Sequence, residues 1–503
     1  SVIVCTFNGA ATIRETLEAL MHLDYPEYEV IVVDDGSTDD TAAIAAGYAV
    51  RLIRTENRGL SAARNTGLAA ATGEIVAYID DDAYPDPHWL RYLVRTLLDG
   101  GHAGAGGPNL SPPGGGLIAE CVAHAPGAPS HVLLTDVLAE HVPGCNMAFV
   151  RERLEAVGGF DPQFRVAGDD VDVCWRVQER GWTLGYSPAA VVWHHRRRTL
   201  RAYWRQQRGY GAAEALLAAK WPAKYNAAGD VTWAGRLYGQ RGVTAARGGR
   251  IYHGVWGTAP FQSIYDAPQI GPGVLTGLIA RVAGAFAAIR AAGRHAHGRL
   301  ERLLRYVVTA LLFVLQPAAR LWGRARQEAT TSSLRGSRAF AWLVRRRYVF
   351  WSERWRPAHA WLGALEAELR AQRVAVLRGG AFDDWDLEVR AGNAGALRLR
   401  MAVEQHDHGK QLVRVRTWPR RSPRRAVVML LLAGLAALAA AGGSWLAASV
   451  FGGAALWVEA RAARRRGAAL AAVRQALRAL ESEQAAEPRA RVVEVGRAVA
   501  GGP

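Results

Sequence analysis

The chain has 503 residues, 50% hydrophobic and 21% charged, which is enough apolar surface for two or three folded units and excludes disorder as a whole. Its formal net charge is +17, and of 62 basic residues only Lys220, Lys224 and Lys410 are lysines, leaving 59 arginines. A charge of this size suits nucleic acid, a membrane surface or a phosphorylated substrate, so it acquires meaning only once it is placed along the chain. Cys5, Cys121, Cys145 and Cys174 are far apart and form no CxxC pair, which argues against a zinc site and for isolated buried thiols in a reducing compartment. The chain opens on the strand-like "SVIVCTF" without an initiator Met, so residues are expected upstream, and the lack of a signal peptide is weak evidence.

From residue 1 to about 100, short β-branched runs alternate with helical stretches. "SVIVCTF" is followed by a helix near 10–22, "YEVIVVDDG" by one near 38–47, "AVRLIRTE" by one near 59–71, and "EIVAYIDDD" closes the series. This alternation predicts βαβ units and a mostly parallel sheet. Ligands of such sheets bind where the carboxyl ends of the strands meet helix N-termini. Polar residues stand at three of those ends: Thr6 and Asn8, then Asp34 and Asp35, then Asp80, Asp81 and Asp82. After a Gly/Pro-rich connector at 104–116, "PGCNMAFVRERLEAVGGFDPQF" and "GDDVDVCWRVQERGW" read as strand, helix, loop and helix. "YSPAAVVWHHRRR" reads as a further strand, with a long helix behind it.

Two apolar stretches, 273–289 and 306–322, are interrupted by Arg281 and Pro317, and each suits a span, an interfacial helix or a buried helix. Residues 356–419 combine the helix "PAHAWLGALEAELRAQR" with four alternating strands, a small α+β module with antiparallel pairing. Residues 426–458 hold 33 residues without a charge, more than the ~20 that one span needs. Arginine-rich flanks on both sides place both ends in the cytoplasm, which predicts a hairpin of two short helices turning near Gly442, Gly443 and Ser444. Beyond 461 an Ala/Arg/Glu-rich tail reads as helical and then frayed.

Three adjacent carboxylates repel unless a cation sits among them. Asp80 and Asp82 share a face by strand alternation, or the following turn joins Asp81 to Asp82; either pair suits a hard divalent ion bridging a diphosphate. Asp34 and Asp35 can accept from a base or ribose, and Arg58 or Arg64 can lie against a base or phosphate. Asp169, Asp170 and Asp172 crowd one helix start, where capping accounts for a single carboxylate, and one of them is a natural general base for an acceptor hydroxyl. In "VVWHHRRRTLRAYWRQQRGYG", His194 or His195 suits a metal or phosphate contact or a packed ring. Arg196, Arg197 and Arg198 read as a solvated run, a lipid contact or a diphosphate clamp, in that order. The pair His406 and His408 around Asp407 reads as a polar turn.

Taken in order and spacing, "SVIVCTFN", "VIVVDDGSTDDT", "NRGLSAARNTGL", "YIDDDAYPDPHWL", "CNMAFVRERLEAVGGFDPQF" and "GDDVDVCWRVQERGW" resemble family 2 glycosyltransferases of the GT-A fold over about 185 residues. The resemblance implies inverting sugar transfer from a nucleotide-sugar donor with Mg2+ or Mn2+. It places metal ligation at Asp80, Asp82 and His194, and donor binding at Thr6, Asn8, Asp34, Asp35, Arg64 and Asp81. Asp170 falls at the position of the family's base, and Asp169 stands where Glu is usual, so either can be the base, with Asp170 favoured. Gln206, Gln207 and Arg208 are similar to the QxxRW element of processive synthases but lack its Trp, so processivity is not supported. The wider chain resembles membrane-associated bacterial members with a C-terminal extension.

The expected organisation is therefore a GT-A α/β domain at 1–225, membrane-associated or interfacial helices at 226–330, an α+β module at 331–425, a transmembrane hairpin at 426–460 and a tail at 461–503. The expected setting is the cytoplasmic membrane, with the catalytic domain facing the cytoplasm. The acceptor would be a lipid-linked or growing polysaccharide glycan of the cell envelope, with polysaccharide-assembly proteins as partners. Nucleic acid is disfavoured because the arginines crowd the membrane flanks without interleaved aromatic platforms. A nucleotidyltransferase is disfavoured because "CTFNGAATIRETL" is no phosphate-cradling loop. The alternative to an enzyme is a catalytically inactive membrane scaffold, against which the intact carboxylate set stands.

Overall fold

The computed structural model describes residues 1–225, 231–237, 250–252, 258–260, 285–286, 288–293, 296, 298–331, 346–353, 355–372, 374–380, 383–390, 396–406, 410–420 and 423–486. Two compact units emerge: residues 1–217 with 233–329, and residues 218–232 with 330–503.

The first unit begins with β1 (Val2–Thr6), α1 (Ile13–Met21), β2 (Val30–Asp34), α2 (Thr41–Ala45), β3 (Arg51–Arg54), α3 (Leu60–Ala70) and β4 (Ile75–Asp80). It continues with β5 (Ala83–Pro85), α4 (Trp89–Gly100), β6 (Gly104–Gly106), β7 (Asn109–Leu110), α5 (Leu117–His124), β8 (Val132–Leu133) and β9 (Leu138–His141). Then come β10 (Met147–Val150), α6 (Arg151–Ala156), α7 (Asp169–Glu179), β11 (Leu184–Tyr186), β12 (Val192–His194) and α8 (Leu200–Lys220). β13 (Arg236–Leu237), a paired β14 (Arg250–Tyr252) and β15 (Thr258–Pro260), and α9 (Arg299–Thr331) complete it.

Ten strands form one sheet in the order β13-β8-β9-β11-β6-β10-β4-β1-β2-β3. Pairing is parallel through β4-β1-β2-β3, as the alternating pattern implies. β10 runs antiparallel to both β4 and β6, and β9, β8 and β13 add further antiparallel pairs. The sheet is therefore mixed and not mostly parallel: β6 and β11 run parallel to each other and with β4, while β10 and β9 are inserted antiparallel between and beside them. Fully buried Ile3, Ile31, Val33, Val76 and Phe149 form a core on one face of this sheet, and Val4, Val32, Leu17 and Leu93 form one on the other. Burial on both faces is why β1 and β2 read as unbroken apolar runs.

The 306–322 stretch lies within α9, which is buried on one side only. Leu312 packs with Cys121, Val122 and Tyr203, and Arg320 and Arg324 pair with Glu214 of α8 at 2.6 and 2.5 Å. The helix backbones approach closely: a Cβ on Gly211 would lie 2.1 Å from the Arg320 carbonyl oxygen, and one on Gly323 2.0 Å from that of Arg208. Leu300, Leu303, Leu304, Val307, Leu311, Val314, Leu321 and Trp322 stay exposed. Arg299–Gln327 is long and apolar enough to cross a membrane by length and composition. Most of the 273–289 stretch lies outside the described residues.

The second unit contains β16 (Arg346–Ser352), α10 (Ala358–Ala371), β17 (Ala375–Arg378), β18 (Leu387–Arg390), β19 (Ala396–Gln405), β20 (Gln411–Pro419), α11 (Pro423–Ala441) and α12 (Trp445–Ala486). The strands pair antiparallel in the order β16-β20-β19-β18-β17. Four of them match the sequence reading; β16 is an additional edge strand. Asp407 and His408 lie outside the described residues, while His406 stands near Trp351, ring centroids 4.9 Å apart.

α11 leads through Gly442–Ser444 into α12, with Gly443 in the left-handed region at φ +76. α12 is long, and the two helices pack together. Leu470, Val473, Ala476 and Leu477 join Trp361, Leu365, Leu387 and Val413 in one core, so the segment after 461 is structural up to Ala486. Leu430, Leu431, Leu438, Trp445, Leu446, Val450, Leu456 and Trp457 are exposed, and Arg425, Glu459 and Arg466 form a charged cluster at the other end of the pair.

Candidate active site

Parallel register sets the site. Thr6 is level with Asp34 and Cys5 with Asp80, so the polar ends of β1, β2 and β4 reach one edge. Asn8 adopts φ +54, a left-handed conformation that Asn tolerates. Its Oδ1 accepts the Thr38 N–H at 2.9 Å and its own N–H donates to Ser37 Oγ at 2.8 Å, joining the loops after β1 and β2. Asp34 is fully buried and accepts the Ser37 N–H at 2.8 Å, with Arg54 3.3 Å away. Asp35 accepts the N–H groups of Arg58 at 2.9 Å and Gly59 at 2.7 Å, at the entrance to α3. Both carboxylates, expected at the nucleoside, are thus engaged in building the wall of the crevice.

At the end of β4 the three aspartates separate. Asp81 accepts from Thr6 Oγ1 at 2.5 Å; burial and the neighbouring Asp82 push its carboxyl up to about 7 against that hydrogen bond. Asp80 and Asp82 converge instead with His194, and their ligand atoms all lie within 4.8 Å of one another. Sheet pairing explains this: β12 runs antiparallel to β5 with His194 opposite Ala83, beside Asp82. His194 Nε2 is 3.0 Å from Asp82 Oδ1 and Arg197 donates to Oδ2 at 2.7 Å. Despite burial, His194 and the Arg197 guanidinium hold Asp82 well below the usual carboxylate range.

Two carboxylates and an imidazole suit a hard divalent ion. Arg196 lies 3.0 Å from His194 Nδ1. A guanidinium only donates, so Nδ1 accepts and Nε2 carries the proton given to Asp82. Ligation through Nε2 therefore requires the other tautomer, with Arg196 turned aside. His195 is separate, 2.7 Å from Glu15. Arg196 and Arg197 are thus part of the cluster and not a solvated run. Gln207 is buried, donates to the Gly127 carbonyl and accepts from Arg320, a structural role.

Arg64 lies elsewhere than expected. Its guanidinium is buried and spans three groups: Asp169, Asp80 at 3.3 Å and the Gly144 carbonyl at 3.1 Å. Lying under the crevice, it leaves no free face for a nucleotide. Asp169 is 1% exposed, and burial raises it to about 6 against the pull of Arg64. Asp170 has a fifth of its side chain open to the crevice. Its Oδ2 accepts the Gly144 N–H at 3.0 Å, and at this carboxyl burial is outweighed by His141, Arg64 and that N–H, which hold it down at about 2. Asp172 is fully buried and accepts from Arg176 within the helix at 2.8 Å, and Arg176 ties α7 down by donating to the Val157 and Gly159 carbonyls. Of Asp169, Asp170 and Asp172 at the start of α7, Asp170 is the one whose side chain opens to the crevice. His141 went unassigned in the sequence because a lone histidine carries no distinguishing signal, and Arg197, read first as part of a solvated run, was not singled out because one arginine of three carries none either.

Removing the Arg64 charge leaves Asp169 buried and unpaired. Arg64→Met should cost about 3–5 kcal/mol in denaturant unfolding, whereas Arg64→Lys should retain part of that stability because it keeps the charge but loses the fork.

A model of glycosyl transferase family 2 matches residues 1–118, and one of glycosyl transferase family group 2 matches residues 75–244. The chain is 33% identical over 242 residues to the pre-mycofactocin glycosyltransferase of Mycobacterium tuberculosis (strain ATCC 25618 / H37Rv), covering 44% of this chain and 48% of the relative. It is 29% identical over 220 residues to the glucosyl-dolichyl phosphate glucuronosyltransferase of Haloferax volcanii, covering 39% of this chain and 68% of the relative. The mannosyltransferase PcManGT from Pyrobaculum calidifontis, solved in complex with GDP-Man and Mn2+, is 23% identical, with a TM-score of 0.39 over 66% of this chain and 87% of that one. The chain spans about half the length of the first curated relatives it matches. With six motifs in register, two overlapping family matches and these curated relatives, residues 1–244 are those of a family 2 glycosyltransferase.

Proposed function

We propose that the chain is an inverting, metal-dependent glycosyltransferase. It moves a sugar from a nucleoside-diphosphate sugar to a hydroxyl of a lipid-linked or growing envelope glycan at the cytoplasmic face of the membrane. The observation that carries this reading is the pairing of two acidic centres through Arg64: the Asp80, Asp82 and His194 cluster on one side, and Asp169 with Asp170 on the other.

A divalent ion held by Asp80, Asp82 and His194 would neutralise the charge that develops on the leaving diphosphate. Arg197, which is partly exposed beside Asp82, is placed to add a second positive charge there. Asp170 accepts the acceptor's proton as its oxygen attacks the anomeric carbon from the side opposite the diphosphate. Asp169 holds Arg64 and so fixes the start of α7, which orients Asp170. No protein acid is required on the leaving side, unlike the glycosidase arrangement.

The membrane reading rests on two exposed apolar surfaces. The exposed residues of α9 repeat at helical spacing from Leu300 to Trp322 and form a stripe, with Arg299, Arg302 and Arg326 exposed at its ends. Its other face is ion-paired to the catalytic domain through Arg305 and Glu120, and through Arg320, Arg324 and Glu214. A spanning helix would draw those pairs and the domain behind them into lipid, so α9 lies in the plane of the interface. The apolar end of the α11–α12 pair is the second surface, read as dipping into the bilayer from its charged base. A relative named for a dolichyl phosphate substrate accords with a lipid-linked acceptor.

The enzyme is tested with a panel of UDP-, GDP- and dTDP-sugars, detergent-solubilised full chain and Mn2+ or Mg2+. One nucleoside diphosphate should be released with metal, and Asp82→Ala and Asp170→Asn should each lower the rate by at least on the order of 10²-fold. No turnover and no metal-dependent donor binding would remove the catalytic reading. For α9, nitroxide labels at Leu303→Cys, Leu311→Cys and Leu321→Cys in liposomes should report one shared depth; a steady gradient would mean a span.

A further inference from the structure

A buried ring nitrogen without a hydrogen-bond partner is rare, and His141 Nε2 at the end of β9 is one. The other nitrogen, Nδ1, lies 3.0 Å from the Ser130 carbonyl oxygen. A carbonyl only accepts, so Nδ1 carries a proton and the neutral ring keeps its lone pair on Nε2. That lone pair is aimed at Asp170 Oδ2, 3.5 Å away. Trp233 stacks over the imidazole at 5.6 Å and 27°, and Trp175 backs Trp233 at 5.4 Å, which holds the ring in this orientation. A lone pair facing a carboxylate oxygen is favourable only when a proton sits between them.

We propose that His141 is a positioning residue for Asp170 and the next stop for the acceptor's proton. The inference rests on the glycosyl-transfer reading above. As the acceptor O–H bond breaks, its oxygen forms the new bond to the anomeric carbon, and the bond from that carbon to the diphosphate breaks with its electron pair leaving on the diphosphate. The released proton passes to the Asp170 carboxylate and on to His141 Nε2, giving an imidazolium beside a restored carboxylate. The imidazolium then returns its proton to solvent.

The arrangement answers a difficulty in the base itself. A carboxylate ordinarily keeps a proton poorly at neutral pH, and a base works best when it titrates near the working pH. An imidazole ordinarily titrates there. The other groups near the ring do not supply that proton acceptor. His131, ahead of β8, is pushed down to about 4 by burial and by His141 and stays neutral. Glu140 turns to the Gly235 N–H at 2.7 Å, and Arg64 is engaged with Asp169 and Asp80. Trp175 and Trp233 carry no charge.

The test is the pH profile of sugar transfer by the full-length protein, beside His141→Gln and Asp170→Asn. His141→Gln should lower kcat on the order of 10²-fold with donor KM within about twofold. In the wild type the rate should fall as acid protonates His141 in advance, and that inflection should vanish in the glutamine variant. In spectra of 15N-histidine-labelled protein, which need no activity, the His141 ring should titrate at lower pH once Asp170→Asn removes the facing carboxylate. Transfer with an unchanged His141→Gln rate or profile, or a His141 titration indifferent to Asp170→Asn, overturns this inference alone. A wild type that transfers from no donor overturns the glycosyl-transfer reading and this inference with it.

Discussion

One buried guanidinium makes the acidic crevice tenable. Arg64 rises from α3 beneath the edge of the sheet and reaches Asp169, Asp80 and the Gly144 carbonyl, with the Tyr78 and Phe160 rings 6.0 and 5.5 Å from its centre. Without a cation there, carboxylates from β4 and α7 would face each other across a low-dielectric space, and the cost of leaving them unpaired would oppose folding. Arginine is suited to the position because its charge is permanent and its planar fork serves several acceptors at once. The surrounding backbone is shaped to admit it: a Cβ on Gly144 would come within 2.5 Å of Arg64 Nη2.

The same bracket divides labour among the aspartates. Asp169 is committed to Arg64 and excluded from solvent, which leaves the neighbouring Asp170 to face the crevice. Asp81 is drawn off by Thr6, so that Asp80 and Asp82 face His194. Like charges that repel as a sequence are thereby sorted by hydrogen bonding into a pair that converges on His194, a wall contact, an anchor and a carboxylate open to the crevice. Arg197 shares Asp82 with His194 and brings a partly exposed positive charge to this cluster.

Away from the crevice, the large positive charge has a structural order. In α9 the arginines Arg305, Arg320 and Arg324 are paired with Glu120, Glu301 and Glu214 while Leu300, Leu303, Leu304, Leu311 and Leu321 face out. In the second unit, Arg390, Arg398 and Arg420 converge on the buried Glu388, and Arg425, Glu459 and Arg466 cluster at one end of an apolar helical pair. In α9 and at the base of the α11–α12 pair, ion-paired arginines thus adjoin exposed apolar helix surface.

The sequence by itself determined the parallel half of the sheet and the edge that carries the chemistry. Apolar runs buried on both faces, each ended by Thr6, Asp34 or Asp80, are local signals, and parallel pairing obliges their ends to meet. Strands β17 to β20 were legible for the same local reason, since each is a short alternating or apolar run between breaks. The tertiary structure alone decided the antiparallel half of the large sheet, the edge strand β16 and the docking of α12 into the second core. It also decided which of His194 and His195 meets Asp82 across 112 residues, that Arg64 lies beneath the crevice and not in it, and that His141 stands behind Asp170. Those outcomes depend on strand register and on pairings between distant segments, and a one-residue change of register would exchange the faces of the side chains involved.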